Sequence, residues 1–258
     1  MKLYFKYFAL HLKSRMQYKT SFFLTVIGQF LTSFNVFLGI WFMFQRFNTV
    51  KGFTFAECLL CFSIVLMAFT LAECFFRGFD AFKGTVSQGH FDRILVRPRG
   101  TIVQVLGQNI EFSRIGRLLQ AIVMLVYGIV NSQVEWTALR IFTLVSMILG
   151  GTVVFASLFV VYAAFCFFTI ESLEFMNIFT DGAREYGKYP VAVYGEHGLR
   201  ICTYIVPFAL FQYYPLLYLL GQSENTWFAF LPWAACLFAI PCLLFWQYGV
   251  SKYKSSGS

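Results

Sequence analysis

Hydrophobic positions in this chain collect into long runs that carry no Asp, Glu, Lys or Arg. Six such runs stand out, at residues 20–45, 58–72, 118–134, 141–170, 199–223 with Arg200 as the one interruption, and 225–251. A helix needs about 20 apolar residues to cross a bilayer, so each run predicts a membrane-crossing helix. The short second and third runs predict helices that continue through charges at their ends. This places spans at about 20–45, 56–79, 112–134, 141–170, 199–221 and 226–250, within one domain of residues 1–254. At 1.5 Å per residue the fourth run exceeds a ~30 Å hydrocarbon core, so it should tilt, bend near Gly150 and Gly151, or protrude. The ending Ser255, Ser256, Gly257 and Ser258 has the composition of a flexible linker.

Composition agrees with that pattern. Of 258 residues, 59% are hydrophobic, 21% aromatic and 12% charged, against about 25% charged in a soluble domain. The fold class read from the sequence is therefore an all-α integral membrane protein with six transmembrane helices. Excess Lys and Arg mark the cytoplasmic connections. Counting alternate connections puts 17 of the 20 basic residues on one side, with Arg46, Lys51 and Arg140 on the other. That partition places both termini in the cytoplasm, together with two large connections at 80–116 and 171–198, and leaves only short connections outside. The expected location is a bacterial inner (plasma) membrane, with a multi-pass chain. The net charge of +8 raises the question of nucleic acid, but the cations flank apolar spans, where they orient the chain and meet anionic lipid headgroups. No nucleic-acid partner is expected.

Ahead of the first span, Lys2, Lys6 and Lys13 cluster on one side of a helical wheel, while Leu3, Phe5, Phe8, Leu12 and Met16 project elsewhere. This predicts an N-terminal interfacial helix, with a frayed basic tail as the alternative. The first apolar run is too long for a signal-peptide core, so it should stay in the membrane.

Chemistry-bearing constellations are sparse. Cys58 and Cys61 form a lone CxxC without a second pair or a nearby His, and the seven cysteines read as small buried hydrophobes, so no metal site is expected. His11, His90 and His197 are far apart, there is no HExxH, and no GxxxxGK[ST] phosphate loop. The chain should therefore not be an enzyme and should hold no cofactor of its own. Glu73 is the one carboxylate embedded in a span. Arg77 at i+4 can neutralise it, either as an intramembrane charge pair with a function or as an interfacial pair that fixes helix depth. Pro207 and Pro215 interrupt the fifth predicted span, as gating kinks or as packing features.

The most informative stretch is 84–100. Ser87 is a plausible N-cap for a short helix reaching about Val96, which Pro98 stops. Phe91, Ile94 and Leu95 make an apolar stripe, and Asp92, Arg93, Arg97 and Arg99 stay in water. Such a helix can dock in a partner's groove or lie on lipid headgroups. Gly89, Phe91, Asp92, Ile94, Leu95, Arg97 and Pro98 follow a pattern of glycine, apolar, Asp, apolar, Leu, Arg, Pro. In that pattern the run resembles the cytoplasmic loop after the second span of six-span ABC-2 type permeases. Lys188, Tyr189 and Pro190, then Tyr204 and Pro207, then Tyr213, Tyr214, Pro215, Leu220 and Gly221 resemble the same family's fifth-span region. The chain departs from the pattern at His90 and at Arg99, Gly100 and Thr101. The resemblance implies the permease subunit of an ATP-binding cassette exporter. It further implies a coupling helix at residues 89–97, a separate ATPase subunit dimer that binds ATP and Mg, and a second permease subunit, identical or homologous. An ion-coupled secondary transporter and a non-transporting membrane scaffold are the alternatives.

Overall fold

The computed structural model describes residues 2–169 and 178–254. Among them every regular element is helical. An N-terminal helix α1 (Lys2–Arg15) passes through a 3₁₀ turn (Met16–Tyr18) into α2 (Lys19–Arg46), and α3 (Phe55–Asp80) follows. Short helices α4 (Phe82–Ser87), α5 (His90–Leu95) and α6 (Thr101–Gln108) lead to α7 (Ile115–Asn131) and α8 (Ala138–Phe165). After α9 (Asp181–Tyr186) and a 3₁₀ turn (Val191–Tyr194) come α10 (Gly195–Tyr204), α11 (Phe208–Phe211) and α12 (Tyr213–Leu219). The 3₁₀ turn Thr226–Phe230, α13 (Leu231–Ala235), a further 3₁₀ turn (Cys236–Phe238) and α14 (Ala239–Lys252) close the chain. Five helical runs are long and apolar enough to cross a membrane: Leu3–Arg46, Phe55–Ser87, Phe112–Asn131, Ala138–Phe165 and Thr226–Lys252. The protein is an all-α integral membrane protein.

Helix α3 is the axis of the bundle, because its sequence is apolar on every face. It buries 17 of its 26 residues, packed chiefly by α7 and α8. Thr54 and Glu57 close a capping box at its start. Helix α2 buries only Ser33 and Ile40 and shows Phe23, Leu24, Ile27, Leu31 and Phe42 outward. Such a face needs lipid or protein against it. Where α2 meets α7 the backbones nearly touch: a Cβ on Gly116 would lie 1.9 Å from the Val26 carbonyl oxygen. Helix α8 runs unbroken past Gly150 and Gly151, which serve close packing against Pro232 and Phe211 and make no bend. The expected end of the fourth span at residue 170 lies outside the described residues, as do 171–177 and the linker-like ending.

Helix α1 forms as expected but does not sort its residues as the wheel suggested. Tyr4 donates to the Phe75 carbonyl (3.1 Å), His11 Nε2 lies 3.0 Å from the Gly107 carbonyl, and Phe8 stacks on Phe75 and meets Phe112 edge-on. Phe5 and Leu10 are left facing outward. The helix is thus seated on the bundle by Tyr4, Phe8 and His11.

The largest departure from the predicted spans concerns the fifth. Helix α10 with its 3₁₀ turn and α11–α12 form a V bent by 91°. Both limbs start and finish at one end of the bundle. The Ala192 carbonyl accepts from Lys51 Nζ (3.3 Å), while Leu216 and Leu219 pack with Phe53, Cys58 and Leu144. At the vertex Val206 packs deep in the core with Val65 and Phe155. Residues 191–219 therefore make a re-entrant hairpin and not a span. The crossing is made just before it. The Arg184 guanidinium lies over the Phe69 ring at 5.4 Å, a Cβ on Gly187 would meet Val65, and the Tyr189 hydroxyl contacts Met43 Sδ at 3.1 Å. Going from Phe69 to Phe55 along α3 covers about 21 Å. Residues 184–186 end α9 and 191–192 open the 3₁₀ turn, so the unwound part of this crossing is 187–190. The start of the helix that carries Arg200 accordingly sits at the end that holds Lys51, and Lys188 pairs with Glu185 part-way along the crossing. The sequence count had placed Arg200 with the arginines of 77–117, because it took 199–221 for the crossing.

Candidate functional site

Two polar joints and one exposed ridge organise the bundle. The first joint surrounds Glu73, which is 3% exposed on the last third of α3. Arg77 lies on the same helix one turn on, with Nη1 3.5 Å from Glu73 Oε1, and also pairs with Asp80. Arg114 Nη2 comes within 3.3 Å of Oε1 from the 3₁₀ turn Phe112–Arg114, and Arg117 of α7 bonds Oε2. Gln29 of α2 accepts from Arg114 Nη1 (3.0 Å) and Arg117 Nη2 (3.2 Å). The Arg117 guanidinium also lies 5.9 Å from the centre of the Phe69 ring. One carboxylate thus holds three guanidiniums, and the amide of α2 takes a further bond from two of them. Burial of such charges costs several kcal/mol per ion unless each is paired and hydrogen-bonded. The Glu73–Arg77 pair read from the sequence is present, and it is the weaker half of the joint. Arg114 and Arg117, counted in the sequence only for topology, are its main partners. Opposite charges in two consecutive spans were the signal that could have found them.

The second joint serves the crossing at 184–192. Non-helical backbone at membrane depth persists only where its polar groups are satisfied inside the protein. Gln212, 2% exposed at the junction of α11 and α12, supplies that: its Nε2 donates to the Tyr189 carbonyl (3.1 Å) and the Gly187 carbonyl (3.4 Å), and lies 3.1 Å from Cys61 Sγ. The prolines explain why Gln212 is placed there. Pro207 stands at the vertex, just before Phe208, and fixes the turn between α10 and α11. Pro215 has no N–H for the Phe211 carbonyl and its ring crowds it, which interrupts the helix between α11 and α12 and frees the chain to turn Gln212 inward. Sequence reading gave Gln212 no role.

The exposed ridge is 95–100. Its supporting helix α5 is shorter than expected. It begins after Gly89, whose φ of +67 favours glycine, while Ser87 ends α4, and its hydroxyl donates back to the Gly84 carbonyl (3.3 Å). Phe91 is fully buried, its ring 5.0 to 5.3 Å from those of Phe82, Phe167 and Tyr253. Ile94 is buried beside it. Two of the three residues of the apolar stripe therefore anchor the helix in its own core. Asp92 lies next to Tyr253, whose hydroxyl is held protonated, its pKa raised by burial and then by the Asp92 carboxylate. Buried Gln104 of α6 donates to the carbonyls of Ile94 (3.1 Å) and Arg99 (2.9 Å), which fixes the chain beyond α5. What faces outward is Arg93, Leu95 (42% exposed), Val96 (81%), Arg97, Pro98 and Arg99.

Five membrane-crossing helical runs, a sixth crossing unwound at 187–190, a re-entrant hairpin and a braced cationic ridge make a multi-pass membrane protein. Residues 30–257 match the family model described as ABC-2 family transporter protein. The chain belongs to that family, whose members are membrane components of ABC transporters and not themselves ATPases. No curated protein and no solved structure gives a significant match.

Proposed function

We propose that this chain is the permease subunit of an ABC exporter, working as a pair of permease subunits in the bacterial inner membrane and driven by a separate dimeric ATPase. The observation that carries the reading is the ridge 95–100. Leu95 and Val96 are exposed between Arg93, Arg97 and Arg99, on a loop that the Phe91 aromatic cluster and Gln104 hold rigid. A rigid, cationic, partly apolar ridge suits a groove with an acidic rim. In this reading Gly89, Phe91, Asp92 and Ile94 position the coupling element, and Arg93, Leu95, Arg97 and Pro98 touch the ATPase. ATP binding there favours one state of the permease pair over another, to the extent that the ATPase binds the two states with different affinity. The exposed faces of α2 and α14 are where lipid or the second permease subunit would sit.

An ion-coupled mechanism needs a titratable group free to exchange protons, and Glu73 is instead held by three arginines. The test is co-purification of the ATPase with Arg97→Glu and Val96→Asp chains. Loss of the ATPase with the fold intact supports the reading. Retained assembly together with normal ATPase stimulation would overturn the assignment of the ridge.

A further inference from the structure

Between the partly unwound crossing and the re-entrant hairpin lies a cavity of about 310 Å³. Val65 of α3, Ala183 of α9, Gly187 of the crossing, Cys202 of α10, and Val206 and Phe208 at the vertex line it. Among the described residues no charged side chain lines it, the Gln212 amide nitrogen is taken up by two carbonyls and Cys61, and the Tyr194 hydroxyl by the Tyr186 carbonyl at 2.8 Å. A polar solute would lose hydration there without gaining partners, and apolar cavities of this kind stay dry. The rim is apolar as well, with Ile178, Tyr186 and Ile201 about half exposed. The volume lies at the lower limit of ligand pockets, enough for one chain and too small for a whole two-chain lipid.

We propose that this cavity is a binding site for a single unbranched alkyl chain, belonging either to a membrane lipid or to a separate amphiphile. The chain enters through the apolar rim and lies against Val65 and Cys202, with its polar end outside. The site lies away from the ridge 95–100 and needs no ATPase, so it stands or falls separately from the exporter reading.

The test uses native Cys202 as the reporter in the permease alone. The protein is placed in nanodiscs of diphytanoyl lipid, whose methyl-branched chains fit the cavity poorly, and N-ethylmaleimide modification at Cys202 is followed by mass spectrometry. Dodecanoate at ten times its Kd should slow modification about tenfold, butyrate should not, and Cys236 on the last span should keep its rate. In discs of straight-chain lipid, slow modification before any addition identifies a membrane lipid as occupant. Fast modification that dodecanoate then slows identifies a separate amphiphile. A Cys202→Phe chain, with the cavity filled, should lose the rise in Tm that dodecanoate gives the parent and the Cys202→Ala chain. Equal Tm shifts in the Phe and parent chains, or no protection of Cys202 in diphytanoyl discs, would overturn the proposal.

Discussion

The bundle is braced at two buried polar joints of opposite character. At one end Glu73 gathers Arg77, Arg114 and Arg117 from two helices and the turn before α7, and draws in α2 through Gln29. Toward the other end one neutral side chain, Gln212, satisfies two carbonyls of an unwound crossing. An ionic joint is strong only while complete, because removing one partner strands buried charge. An amide joint carries less energy but can be placed beside apolar surface without a counter-ion, which is where the cavity lies.

The largest expected effect comes from breaking the ionic joint. Glu73→Gln should destabilise the purified protein by about 3–5 kcal/mol, read as a fall in Tm in detergent. A loss below about 1 kcal/mol would show that the arginines find solvent or Asp80 without the carboxylate. Gly116→Val comes next, since its Cβ cannot approach Val26 without moving α2 away from α7. A cost of about 1–3 kcal/mol is expected, and it should fall sharply in a chain that already lacks Glu73 if both changes loosen the same contact.

Gln212→Leu probes the neutral joint. It leaves the Gly187 and Tyr189 carbonyls without their donor, at about 1–3 kcal/mol, and amide hydrogen exchange should rise at 187–191 while the arginine end keeps its protection. Faster exchange spread evenly over the bundle would mean that the two joints are one cooperative unit. The smallest effect belongs to Arg200→Gln. Its partner Glu196 lies 2.5 Å away but both side chains are mostly exposed, so the change in stability should stay below about 0.5 kcal/mol. A larger loss would place that face of α10 against another protein surface.

Much of this was legible in the chain. Long apolar runs dictate helices in a bilayer because an unsatisfied backbone group there is costly, and five of the six predicted spans formed. Glu73 stood out as the lone carboxylate inside a span, and the pattern from Gly89 to Pro98 pointed to the family. The fifth span was misread because a run of apolar residues records length and not direction, so the hairpin of 191–219 looks like a crossing. The crossing at 184–192 carries Arg184, Glu185 and Lys188 and looked like a water-exposed connection.

The sequence by itself determined the solvent this protein lives in, its helical class, and which segment carries the exposed cations. Only the tertiary structure decided the partners of Glu73, the inward turn of Phe91 and Ile94, and the role of Gln212. Those depend on which surfaces come within 3 to 4 Å across separations of tens of residues, and periodicity along the chain reports only a residue's nearest helical neighbours. A buried glutamine that serves two distant carbonyls has no local pattern. It is recognised only when the chain it supports is seen to pass beside it.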